Sequence, residues 1–209
     1  MRFDPDSRFF TFCARLVELV GINLLWLVCS VPIVTMCPAT KAMLTCLYAW
    51  QEGERCGSGP FFRAFREGFG RSLGLWLGIL FLGAMLGVDY CIVANLAFPG
   101  RMAVIGLICF VGFALILFTG MVFPLLSQFP MEVRDTAINA VLLSLANLPK
   151  MLLVTAVNLL PAVLAVLTPQ LFVISGFFWL LCGIALIGLY DIKVLERVLA
   201  PFRNRQEEV

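Results

Sequence analysis

Five apolar runs separated by short polar breaks leave this chain few folds to choose from. They cover about 17–34, 72–96, 102–126, 151–167 and 171–190, and each approaches or exceeds the roughly 20 residues a helix needs to cross a bilayer core. In lipid a spanning segment must satisfy its backbone polar groups internally, which makes such runs helices. Composition agrees where the argument needs it. Of 209 residues, 61% are hydrophobic and only 13% charged, against about 25% charged in an ordinary soluble domain; mean hydropathy is +0.99. The longest clearly polar stretch, 51–60, is far too short to fold alone. The expected fold is all-α, a polytopic transmembrane helix bundle in a lipid bilayer, forming one domain over 1–209.

The first run ends in two prolines, Pro32 and Pro38. Proline removes a backbone donor and clashes with the preceding turn, so both are expected to break the helix. After them the chain resumes over 39–51, a helix of only about 20 Å at 1.5 Å per residue. Hydropathy alone makes this segment an appendage and leaves five spans. Charge argues otherwise. Lysine and arginine favour the cytoplasmic side, and the carboxyl-terminal Lys193, Arg197, Arg203 and Arg205 place that end inside. Working backwards, Arg134 and Lys150 fall inside, as do Arg55, Arg63, Arg66 and Arg71. If 39–51 recrosses the bilayer, Arg2, Arg8 and Arg15 are inside as well. Thirteen of the 15 basic residues, all but Lys41 and Arg101, then share one side. Six helices are therefore expected, at about 16–34, 39–51, 72–97, 102–126, 150–167 and 171–191, with both termini cytoplasmic. Asp4 and Asp6 interrupt the basic start that a secretory signal needs, so the amino-terminal end is expected to be retained.

Two further stretches read as interfacial helices, about 60–71 and 132–148. In the first, Phe61, Phe65 and Phe69 recur every four residues with Phe62 beside them, while Arg63, Arg66, Glu67 and Arg71 take the other arc. That pattern suits a helix at the headgroup boundary with arginines toward anionic lipid. In the second, Thr136, Asn139, Ser144 and Asn147 form a narrow polar stripe on an otherwise apolar helix. Gly70, Gly74 and Gly78 are spaced by four, and Gly83 and Gly87 repeat the interval. Small residues so spaced let helices approach closely in lipid, within one chain or between copies in a homo-oligomer.

Little here looks like chemistry. The eight cysteines include no close pair and the chain has no histidine, so the short-range ligand clusters of metal sites are missing. The cysteines read as small hydrophobes, and neither a cofactor nor a nucleic-acid partner is expected. Ionisable residues inside a membrane are costly and often functional, which singles out Lys41 and Asp89. With the first turn at the outer surface, Lys41 lies roughly 5–10 Å below it and Asp89 about 12 Å, so the two could pair. They form either a structural ion pair or a polar ligand site to which Asn23 and Asn158 contribute. Amides inside spans otherwise join helices by hydrogen bonds. Glu18 and Asp191 lie near span ends and need no special role.

The run Asn23-Leu24-Leu25-Trp26-Leu27, Pro32-Ile33-Val34-Thr35 and Pro38-Ala39-Thr40, followed from Phe61 by Phe-Phe-Arg-Ala-Phe-Arg-Glu-Gly-Phe, resembles the YesL family of bacterial membrane proteins. The segment 139–149 is similar to that family too. Met36-Cys37 and Lys41 depart from it, where a glycine before Pro38 and a small residue at 41 are expected. The resemblance implies a bacterial cytoplasmic membrane protein without established activity, accessory to carbohydrate ABC transport and partnered by a permease of such a system. Two other classes remain from the residues themselves. A small transporter or channel would use the polar site near Lys41 and Asp89. An intramembrane enzyme fares worst, for there is no histidine, no aspartate pair and no serine nucleophile motif, so no enzymatic activity is expected.

Overall fold

A computed structural model describes residues 8–207, which form helices joined by short turns with no strand among them. Arg2, Asp4 and Asp6 lie outside the described residues. The order is α1 (Arg8–Ser30), a single 3-10 turn (Ile33–Thr35), α2 (Met36–Gln51), α3 (Ser58–Arg66), α4 (Phe69–Asn95) and α5 (Arg101–Gln128). Then come α6 (Val133–Ala146), α7 (Leu148–Leu167), α8 (Pro169–Ile174), the one-turn α9 (Gly176–Phe178), a π-helical turn (Trp179–Gly183) and α10 (Ile184–Glu207). Five segments are long and apolar enough to cross a membrane: Cys13–Ser30, Phe69–Asn95, Arg101–Gln128, Leu148–Leu167 and Gly176–Ala200. The chain is a multi-pass membrane protein.

α2, sixteen residues long, is not one of the five. Its beginning sits where Trp76, the eighth residue of α4, donates its indole N–H to the Ile33 carbonyl at 2.7 Å. The tip of the α1–α2 hairpin thus meets α4 about 10 Å from its start, leaving roughly 28 Å of α4 beyond that level. The expectation that the first turn marks the outer surface is corrected accordingly. Pro38 breaks nothing either. It occupies the first turn of α2, which begins at Met36, where the backbone N–H groups have no intrahelical partner and proline costs little. Pro32 alone ends the preceding helix.

Far from an appendage, α2 is the hub of the bundle. Cys37, Pro38, Ala39, Lys41, Ala42, Met43, Leu44, Cys46 and Leu47 are all buried, and the helix is packed by α1, α3, α4, α5 and α10. Cys46 is joined by a disulfide to Cys56 in the α2–α3 connection, so these two cysteines are more than small hydrophobes.

The two short helices use their amphipathicity in opposite senses. α3 turns Phe61 and Ala64 into the core against α1 and α2, while Phe62, Arg63 and Arg66 are exposed. Its aromatic row, with Phe65 stacked on Phe61 at 6.5 Å and Phe69 at 5.4 Å from Phe65, is largely a packing surface of the protein. In α6 the polar stripe faces inward. Thr136 and Ser144 are buried beside Ala140, and Ile138, Val141, Leu142 and Leu145 are exposed.

Basic residues gather at one end. Arg15 lies 5.4 Å over the Trp50 ring, bringing the start of α1 to the end of α2. The starts of α4 and α7, the end of α5, α6 and the second half of α10 lie there too, carrying Arg71, Lys150, Arg134, Lys193 and Arg197. Lys41 joins this end rather than the opposite one. Among the described residues only Arg101 stands at the far end of the α4–α5 hairpin, its guanidinium donating to the Ala94 carbonyl.

Candidate functional site

Thr35 closes the hairpin tip: its N–H reaches the Pro32 carbonyl at 2.9 Å and its hydroxyl donates to the Cys29 carbonyl at 2.6 Å. Trp26 donates its indole N–H to the Thr40 hydroxyl at 3.0 Å, tying α1 to α2. With Trp76 on the Ile33 carbonyl, the carbonyls freed by the turn find donors, the condition for irregular backbone at membrane depth.

Asn23 is fully buried and bridges α1 to the last membrane segment. Its amide donates to the carbonyls of Trp179 (3.1 Å) and Leu180 (2.8 Å), and its side-chain oxygen accepts from the Ala185 N–H at 2.9 Å. A π turn disrupts the regular i to i−4 ladder, and Asn23 supplies partners at the place of disruption. The sequence reading expected one continuous helix over 171–191; the observed segment is interrupted at Ser175 and widened at Trp179–Gly183. Gly183 makes room there, since a side chain at that position would collide with the Trp179 ring.

Lys41 serves another helix. α3 ends at Arg66, Glu67 is extended, and Gly68 adopts a left-handed φ of 62° to start α4. This turn leaves the last carbonyls of α3 without helical partners. The Lys41 ammonium donates to the Glu67 carbonyl and to that of Ala64, the latter at 3.4 Å. A cation at a helix carboxyl end also complements the helix dipole. Gly68 is favoured by its φ, while a Cβ there would only touch the Lys41 Nζ at 3.5 Å and press on the movable tip of Arg71 at 3.3 Å.

Asp89 does not pair with Lys41. It sits 20 residues beyond the start of α4, about 30 Å along the helix, exposed and without a partner among the described residues. Asn158 belongs to a fourth place: it donates to the Val154 carbonyl at 3.0 Å and to the Asp191 carboxylate at 2.7 Å. The four candidate residues thus occupy four separate places, and the single polar site near Lys41 and Asp89 is not formed. Asp191, set aside in the sequence as a span-end residue, is the one that meets Asn158.

The glycine row also falls outside the packing surfaces. A Cβ at Gly70, Gly74, Gly78 or Gly87 would meet no atom within 4 Å, and at Gly83 it would make ordinary contact with Leu115. The close approaches are elsewhere, at Gly120, where a Cβ would lie 3.3 Å from Met151, and at Gly188, 2.7 Å from Leu47.

Between α2, α4, α5, α7 and α10 lies a cavity of about 690 Å³. Its walls are mostly apolar, and they include Trp26, Trp76, Thr155, Asn158 and Asp191. Among the described residues no group of three His, Cys, Asp or Glu side chains is placed to hold a metal ion.

No curated protein and no solved structure matches the chain. Residues 19–90, about a third of its length, match the model of a family described as a protein of unknown function, DUF624. The match runs through the hairpin turn, the hub helix α2, the Lys41 contact and most of α4, so this part of the bundle is similar to the DUF624 family.

Proposed function

We propose that this chain is an accessory subunit of a bacterial membrane complex, acting by binding rather than by catalysis. The complex it serves is a carbohydrate ABC transporter, contacted through a permease subunit. The basic end faces the cytoplasm, with both termini on that side. The α1–α2 hairpin enters from the cytoplasmic face and returns to it, which keeps the positive-inside distribution without α2 crossing.

The observation carrying the accessory role is Asp89. It lies six residues from the end of α4, about 9 Å at helical rise, within a segment apolar enough to cross the membrane and on its exposed side. A carboxylate facing hydrocarbon is costly unless paired, and no described residue of this chain pairs with it. A donor on a neighbouring membrane helix offsets that cost. The carbohydrate-transport part rests on the resemblance of the 23–69 region to YesL proteins, and the family match supports the same relationship only at the level of DUF624.

The test is a pull-down of the tagged protein in mild detergent, with mass spectrometry of what accompanies it. A sugar ABC permease at near-stoichiometric yield is expected, and Asp89→Leu should lose it while the variant remains monodisperse. Recovery of the protein alone, or of the permease equally with Asp89→Leu, would overturn this reading.

A further inference from the structure

We propose that the cavity between α2, α4, α5, α7 and α10 binds an aliphatic amphiphile taken laterally from the bilayer, its head an amine seated between Asp191 and Thr155. The inference stands independently of the accessory role. At about 690 Å³ the space falls inside the roughly 300–1,000 Å³ typical of small-molecule sites. Such sites combine apolar walls with a few convergent polar groups, and the composition here is of that kind.

Most polar groups on the wall are already committed. Thr40 is bonded to Trp26 and to the Met36 carbonyl, Thr119 to the Leu115 carbonyl, and the Trp76 indole to Ile33. Two buried atoms have no partner, the Thr155 hydroxyl oxygen and the Oδ1 of Asp191. Thr155 is only 5% exposed, and its behaviour is unlike that of its counterparts. Thr40, Thr45, Thr119, Thr136 and Thr168 each turn the hydroxyl onto the carbonyl four residues back, the usual satisfaction of a helical threonine. Thr155 leaves its hydroxyl unspent beside the close approach at Gly120.

Both unpartnered atoms belong to residues that line this cavity. Thr155 and Asn158 are three residues apart on one face of α7, and Asn158 holds the other carboxylate oxygen of Asp191 at 2.7 Å. The amide fixes the carboxylate, leaving Oδ1 as an acceptor of set position. No lysine or arginine lines the cavity, so the complementary charge must come from the occupant. An ammonium head can donate to Asp191 Oδ1 and to the Thr155 oxygen at once, and charge-assisted bonds of this type are about twice as strong as neutral ones. An alcohol can make the same contacts more weakly, whereas a fatty acid brings like charge.

Entry is from the side. Gly83 and Ala84 of α4, Ile116 of α5 and Leu159 of α7 line the cavity and are also exposed on the bundle surface that faces lipid. The alkyl chain then lies along Leu80, Ile116 and Leu159.

Trp26 and Trp76 on the wall provide a direct readout. The purified full-length protein in detergent is titrated with a bromine-labelled dodecylamine and its tryptophan fluorescence followed. Unlabelled dodecylamine, dodecanol and dodecanoate serve as competitors of equal chain length. Saturable quenching is expected, displaced by the amine best, by the alcohol less well and by the carboxylate least. Asp191→Asn should weaken the amine by about tenfold or more, equivalent to 1.4 kcal/mol, and leave the alcohol nearly unchanged. Thr155→Val, nearly isosteric, should weaken the amine several-fold; it also serves if the Asp191 variant fails to fold. Non-saturable quenching, equal competition by the three heads, or unchanged amine affinity in the folded variants would overturn the proposal.

Discussion

The two hairpins of this protein, α1–α2 and α4–α5, are both predominantly apolar, the second more so, and have opposite fates. In the short one, nine of the sixteen residues of α2 are buried, and several polar groups find partners inside the chain: Thr35 and Trp76 at the tip, Asn23 on the π turn, Lys41 on the end of α3. In the long one, α4 buries only Ser72, Leu75 and Trp76, all near its start, and α5 buries nothing before Leu117. The outer stretches, 77–95 and 101–116, meet each other, wall one side of the cavity through Leu80, Gly83, Ala84 and Ile116, and are otherwise largely exposed, and Asp89 stands among them without a partner among the described residues. Hydropathy ranks the long hairpin as the more obvious structural element. Cohesion resides in the short one, because a half-depth helix surrounded by five neighbours can bury its whole circumference.

That contrast can be broken by substitution. Phe61→Ala should cause the largest loss, about 3–5 kcal/mol as for other buried aromatics, because Phe61 is fully buried against α1 and α2; thermal unfolding in detergent measures it. Asn23→Leu comes next, at about 1–3 kcal/mol, since it strips partners from the Trp179 and Leu180 carbonyls and the Ala185 N–H. Lys41→Met should cost somewhat less, about 1–2 kcal/mol, with the loss appearing as faster proteolysis at the α3–α4 junction. On the long hairpin, Gly74→Leu and Gly78→Leu should change stability by no more than about 0.5 kcal/mol, because nothing lies within reach of a Cβ there. A large loss from either would place an intramolecular neighbour where none is found.

A labelling experiment sharpens the comparison without touching stability. Cysteines introduced at Gly100, between α4 and α5, and at Val31, at the tip of α1–α2, would be probed with a membrane-impermeant maleimide on intact cells. Position 100 should label from outside, while position 31 should be protected on both sides, being immersed between the faces. Labelling of position 31 from outside would restore a full crossing by α1 and α2.

The sequence makes some features of this fold legible and hides others, for physical reasons. Long spans are legible because about 20 consecutive apolar residues have one economical solution in lipid, and the observed α4, α5 and α7 begin and end within three residues of the expected bounds. The interfacial helices were legible as helices and not as faces. α3 and α6 share an amphipathic pattern and similar places in the chain, yet one turns its apolar side inward and the other its polar stripe. Periodicity reports two unlike faces; the neighbours choose which is covered. The interruption after α8 was hidden because Ser175, Gly176 and Gly183 are tolerated in ordinary membrane helices, and the compensating partner, Asn23, is 162 residues away from Ala185. Likewise, Asp191 looked peripheral by its distance from the span end, and only Asn158 on another helix draws it to the cavity wall.

Local properties, then, were determined by the chain itself: which stretches are helical, which can cross a bilayer, and the clustering of positive charge on one side. These follow from composition over a window of residues and from the cost of unpaired backbone in lipid. Tertiary structure decided the rest. It made α2 the hub, spent Lys41 on a helix end, separated it from Asp89, and left Thr155 and Asp191 with free atoms at one cavity. Each of those outcomes depends on which distant group comes within about 3 Å of a polar atom, a quantity that no window of sequence contains.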